Sequence, residues 1–175
     1  YVDVEGSGQD ITTIECACAN ASNTALSATV STGNIAAEIR HLTINNTGGG
    51  NISFGVYTNS VTDGSFSMLH VTATATGGTE SNYGVFNHAS SSPSMTNVTA
   101  TATGGTNSYG VKNEATSSPT IRNSSITGTT NSISNGLSSS AKVADTALGG
   151  AVGGAGFTCV RVFDTAFVAL GTSCV

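Results

Sequence analysis

The sequence predicts an all-β chain wound as a right-handed parallel β-helix of about five to six coils, closed by a C-terminal hairpin cap. Three observations carry that expectation. The segment Val71-Thr72-Ala73-Thr74-Ala75-Thr76-Gly77-Gly78-Thr79 recurs unchanged 27 residues later, at Val98-Thr99-Ala100-Thr101-Ala102-Thr103-Gly104-Gly105-Thr106. Short runs alternate with period two, and no helical periodicity appears. Gly, Asn, Ser and Pro punctuate the runs as turn residues do.

Composition points the same way. A length of 175 residues suits one domain with a continuous core. Only 9% of residues are charged, against about a quarter in an ordinary soluble domain. Ser and Thr fill 51 positions and Gly 22. Uncharged polarity is compatible with disorder, but β-branched residues in regular alternation fit a repetitive β structure better.

The elements follow in order. Residues 1–34 form a less regular start. Ile39-Arg40-His41-Leu42-Thr43-Ile44 and Phe54-Gly55-Val56-Tyr57 open the coils. After each exact repeat comes an aromatic-Gly-Val segment, Tyr83-Gly84-Val85-Phe86-Asn87 and then Tyr109-Gly110-Val111-Lys112-Asn113. Turns at Ser91-Ser92-Pro93 and Ser117-Ser118-Pro119 follow. Weaker copies lie at residues 121–126, 133–135 and 143–148, which places the coils in 1–150 and the cap in 151–175. A unit of this size cannot bury its own apolar side, but stacked copies can.

The repeat also sets a register. Leu42, Val71, Val98 and Ser124 are expected to point inward, as are Ile44, Ala73, Ala100 and Ile126. On the next strand Val56, Val85, Val111 and Ile133 form an inward stack. Phe54, Tyr83 and Tyr109 are placed on that same side, two residues earlier. Asn87, Asn113 and Asn135 line up at a corner, where amides about 4.8 Å apart can bond in a ladder.

In the cap, Cys159 and Cys174 flank an apolar run, and a turn at Asp164-Thr165-Ala166 would bring the sulfurs together as a disulfide. Cys16 and Cys18 alternate onto one face of a strand and are expected as two small buried hydrophobes, unbonded. A thiolate metal site needs more ligands than that pair.

At its Leu-Thr-Ile, Tyr-Gly-Val-Phe-Asn and Ser-Ser-Pro-Thr-Ile-Arg-Asn motifs the chain resembles bacterial right-handed parallel β-helix repeat proteins of the pectate-lyase-like superfamily. The opening Tyr1-Val2-Asp3-Val4-Glu5-Gly6-Ser7-Gly8 looks like the strand after the N-terminal cap of pectin-esterase-like members. The resemblance implies an upstream capping segment. It implies coils rather than chemistry: the only Gln-Asp pair is Gln9-Asp10, and the other esterase, polygalacturonase and lyase motifs are missing.

No catalytic residue, cofactor site or metal site is therefore expected. His41 and His70 occupy matching positions, continued by Asn97, Asn123 and Asp145, and are read as a polar corner ladder rather than a Zn²⁺ or Ni²⁺ site. Five Asn-x-Ser/Thr sequons, at Asn20, Asn45, Asn51, Asn97 and Asn123, are expected by chance in such a composition. The candidate contact face is an outward grid of Thr72, Thr74, Thr76, Thr99, Thr101, Thr103, Thr127 and Thr129. Thr43, Asn45, Thr47 and Ser125 extend it. Regular and uncharged, the grid suits another protein, a glycan or ice, unless it serves only to keep a sheet soluble.

The net charge of −5 and the scattered Arg40, Lys112, Arg122, Lys142 and Arg161 argue against nucleic acid and against an anionic membrane surface. No apolar run reaches transmembrane length. The opening at Tyr1, with neither an initiator Met nor a signal peptide, is expected for a processed N-terminus or for a fragment of a longer protein. The functional expectation is a noncatalytic secreted or cell-surface structural solenoid that stacks head-to-tail on itself. The alternatives are a polysaccharide-binding or atypical polysaccharide-active protein, and an ice-binding one.

Overall fold

The computed structural model describes residues 3–18, 20–29, 36–62 and 65–175, which form strands joined by turns and, after the last strand, a returning C-terminal segment. Among these residues no helix is long and apolar enough to cross a membrane. The strands are β1 (Val4–Glu5), β2 (Thr13–Cys16), β3 (Ser22–Thr29), β4 (Ala37–Asn46), β5 (Ile52–Asn59), β6 (Phe66–Ala75), β7 (Ser81–His88) and β8 (Ser94–Ala102). They continue as β9 (Asn107–Asn113), β10 (Thr120–Arg122), β11 (Ser125–Gly128), β12 (Asn131–Asn135), β13 (Ala141–Ala144), β14 (Ala147–Gly149), β15 (Phe157–Val160) and β16 (Phe163–Asp164).

Two parallel sheets build a β-solenoid. One stacks β3, β5, β7, β9 and β12, so four full turns carry the chain from β3 to β12. The other begins at β1 and β2, passes through β4, β6 and β8, and runs on beyond β12 as β13 to β16. The exact repeat is the register itself: Val71, Thr72, Ala73 and Thr74 pair with Val98, Thr99, Ala100 and Thr101.

From β4 onward, each of six rungs of the longer sheet bends at one residue. His41, His70, Asn97, Asn123, Asp145 and Arg161 all have φ between 48° and 56°, in the left-handed region. Asn, Asp and His tolerate that region better than most side chains, which explains the composition of the column. The bend resets the alternation, so residues three apart both point inward: Ile39 and Leu42, Met68 and Val71, Met95 and Val98 are all buried.

The inward columns stand where the repeat places them. Leu42, Val71, Val98 and Ser124 are buried, as are Ile44, Ala73, Ala100 and Ile126, and Val56, Val85, Val111 and Ile133 are fully enclosed. The corner ladder is equally regular. Thr58 Oγ1 donates to Asn87 Oδ1, Asn87 Nδ2 to Asn113 Oδ1, Asn113 Nδ2 to Asn135 Oδ1 and Asn135 Nδ2 to Ala155 O, each at 2.8 Å. A second buried polar column secures the Gly-rich turns: Ser53 Oγ donates to Gly48 O at 3.0 Å and Asn82 Nδ2 to Gly78 O at 2.8 Å.

The aromatic file departs from expectation. Phe54, Tyr83 and Tyr109 stack, with centroids 5.1 and 5.5 Å apart, but they are half-buried and lie outside the core. The cause is the glycine between each aromatic and its valine. A Cβ on Gly84 would lie 2.7 Å from Gly110 O and 2.9 Å from Thr101 N. Backbone presses on this position from the next coil and from the opposite sheet, so Gly84 and Val85 are both buried and strict alternation breaks between them.

The C-terminal hairpin closes the overhanging rungs. Phe163 pairs antiparallel with Ala169, and the Asp164 carboxylate accepts from Ala166 N and Val168 N at 2.9 Å. The returning chain supplies Thr172 O to Cys159 N and Leu170 N to Val162 O, both at 2.8 Å. Cys159 and Cys174 are joined, with Cα atoms 5.5 Å apart, and both are buried.

The other cysteine pair corrects the sequence reading. Cys16 and Cys18 are bonded to each other, with Cα atoms 5.3 Å apart, and Cys18 is exposed rather than buried. An extended strand would separate such a pair by about 6.7 Å. Here β2 ends at Cys16, and the chain turns before Cys18.

Candidate functional site: the threonine grid, the bend column and the two ends

The threonine grid exists in the expected register. Thr43, Thr72, Thr99 and Ser125 form one file, and Asn45, Thr74, Thr101 and Thr127 the next. Thr76, Thr103 and Thr129 fall just past the strand ends, although Thr76 N still bonds Asn46 O and Thr103 N bonds Ala75 O. One end of the grid is covered. Thr43 Oγ1 donates to Gln9 O, and Gln9 Nε2 reaches Thr72 Oγ1 at 3.3 Å. Thr74 Oγ1 bonds Asn45 Oδ1. Thr76, Thr99, Thr101, Thr103, Thr127, Thr129 and Ser125 make no side-chain hydrogen bond among the described residues, so their hydroxyls are free.

The bend column holds the histidines. The His41 and His70 rings stack with centroids 4.9 Å apart and planes 13° from parallel. Asn97 Nδ2 sits 3.1 Å from His70 Nε2. Among the described residues no group of three His, Cys, Asp or Glu side chains comes together as a metal site. Arg161 is a further member that the sequence reading left in the cap. Its spacing matches the earlier rungs (Cys159-Val160-Arg161-Val162 against Val143-Ala144-Asp145-Thr146), but the apolar cap pattern masked it. Arg161 pairs with Asp145, one nitrogen lying 2.8 Å from Oδ2, and this hydrogen bond holds the Asp145 carboxyl below the usual carboxylate range.

Cations scattered in sequence are gathered in space. Arg122, Lys142 and Arg161 border one shallow depression of about 250 Å³, floored by Ile121, Val143 and Ala144. The two remaining cations are engaged elsewhere, Arg40 with Glu5 at 3.0 Å and Glu38 at 2.6 Å, and Lys112 with Glu114 at 3.6 Å.

The ends differ from the sides. Val4 and Ile11 are exposed at the first rung; Val160, Phe167, Val168 and Val175 are exposed on the last rung and its hairpin, and Leu137 in the loop after β12. These are all the exposed large apolar side chains among the described residues, and Phe167 is 86% accessible. Comparison with protein families, curated sequences and solved structures finds no match to this chain.

Proposed function

We propose that this chain is a noncatalytic structural or adhesive solenoid, working outside the cytoplasm or on a cell surface and joining end to end with copies of itself. The observation that carries this reading is that, among the described residues, every exposed large apolar side chain except Leu137 lies on the first rung or on the last rung and its hairpin. Contact between unlike ends is heterologous and leaves an end free after each addition, the geometry of an open filament. The first rung is acidic, with Asp3, Glu5, Asp10 and Glu15, whereas in the last two rungs Lys142 and Arg161 are balanced by Asp145 and Asp164.

The hairpin already occupies the outer edge of β15, so side chains form the joint rather than new strand pairing. Phe167 and Val168 would lie against Val4 and Ile11. Two disulfides favour an oxidising compartment. The free hydroxyls of Thr99, Thr101, Thr103 and Thr127 favour contact with a surface glycan as the adhesive function. Membership of the pectate-lyase-like superfamily is part of the proposal and rests on the coil motifs alone.

Sedimentation velocity and electron microscopy over a concentration series test the joint. The native chain forms linear oligomers, and the double variant Phe167→Ser/Val168→Ser weakens association by at least about tenfold. A native chain that stays monomeric at high concentration, or a double variant that associates like the parent, overturns it. Incubation with pectin, alginate or related polyuronates, with and without Ca²⁺, releases no product. Reproducible cleavage or de-esterification by the purified chain, lost on changing one acidic residue, overturns the noncatalytic reading.

A further inference from the structure

The two disulfides occupy opposite environments. Cys159 and Cys174 are 4% and 3% exposed, beneath the hairpin that they fasten. Cys16 is also buried, at the end of β2 and opposite Asn46 of the next coil, but its partner Cys18 is exposed. The Cys16-Ala17-Cys18 turn lies in the first coil, with a neighbouring coil on one side only among the described residues.

The turn is also held without its sulfur bond. Asn23 Nδ2 donates to Cys18 O at 2.8 Å, and Thr47 N donates to Cys16 O at 3.0 Å. Gly48 of the next coil packs so closely that a Cβ there would lie 2.2 Å from Cys18 O. Opening the disulfide therefore leaves the backbone of the turn anchored. Opening Cys159–Cys174 first requires the hairpin to lift.

From this contrast we infer that Cys16–Cys18 is a thiol-exchange site, attacked at Cys18 by a low-molecular-weight thiol. The thiolate approaches Sγ of Cys18, the exposed residue of the pair. A new sulfur–sulfur bond forms there as the Cys16–Cys18 bond breaks, and the electron pair of the broken bond passes to Cys16 Sγ. One disulfide is exchanged for another with no net oxidation. Cys16 leaves as a thiolate and takes a proton from water. In the reverse step the Cys16 thiolate attacks the mixed disulfide, re-forms the original bond and expels the external thiol. The site thus gives the solenoid a reversible covalent attachment point in its first coil, and it is independent of the proposed end-to-end joint.

The test uses the intact oxidised protein and reduced glutathione as the probe. Samples are acid-quenched over time, free thiols are alkylated, and peptides are mapped by mass. The expected result is a glutathione adduct on Cys18 with Cys16 alkylated, forming at least about tenfold faster than any opening of Cys159–Cys174. Equal rates at the two disulfides, an adduct on Cys16 instead, or exchange seen only in denaturant overturns the assignment. The variant Cys16→Ser provides a second readout, with folding checked by circular dichroism. Lacking the resolving thiol, it accumulates the Cys18 adduct from oxidised glutathione and holds it. A folded variant that takes up none also overturns the assignment.

Discussion

Val111→Asp destabilises the chain by about 3–5 kcal/mol, a large share of the roughly 5–15 kcal/mol that holds a typical domain together. Val111 is fully enclosed between Val85 of the preceding coil and Ile133 of the following one. A carboxylate there loses its water and gains no cation, so it must either stay charged at high cost or take up a proton. Val111→Ala, which removes only methyl groups, costs roughly 1–3 kcal/mol by comparison. Equilibrium urea denaturation measures both. A Val111→Asp protein that unfolds at the parent midpoint shows that the inward register of Val85, Val111 and Ile133 is wrong. Because each coil rests on its neighbours, the damage spreads along the stack.

Asn113→Ala costs about 2–4 kcal/mol, although it removes a polar side chain from an apolar surrounding. The side chain is fully enclosed, accepting from Asn87 and donating to Asn135. Its removal strands a donor on Asn87 and an acceptor on Asn135, and an unpartnered buried polar group costs roughly 1–3 kcal/mol. The exposed Ser125→Ala serves as a control within about 0.5 kcal/mol of the parent. Urea denaturation again reads the difference. Equal stability of Asn113→Ala and the parent indicates that the ladder bonds contribute nothing net.

Relations between coils were legible in the sequence. The inward valines, the Asn87–Asn113–Asn135 ladder, the files of the threonine grid and the stacked His41 and His70 all follow from a repeat that returns equivalent residues to equivalent places. Relations within one coil were less legible. Strict alternation puts Phe54, Tyr83 and Tyr109 inside, but close backbone approach at Gly55, Gly84 and Gly110 interrupts it. The sequence marks the His41 column as a corner, but its left-handed bend and its extension to Arg161 are properties of the backbone.

The sequence by itself determined the stacking register, since parallel strands in neighbouring coils must pair in step and an exact repeat leaves one way to do so. It also determined the Cys159–Cys174 pairing, where one turn at Asp164 suffices to bring the ends of a short segment together. Only the tertiary structure decided what depends on the bends inside a coil or on residues outside the repeat. Cys16 and Cys18 bond because β2 stops between them. Gln9 covers part of the grid by reaching Thr72, 63 positions away. Arg122, Lys142 and Arg161 meet because successive rungs bring distant positions side by side. Periodicity encodes contacts between like positions, whereas contacts between unlike positions depend on bend angles and chain ends that carry no period.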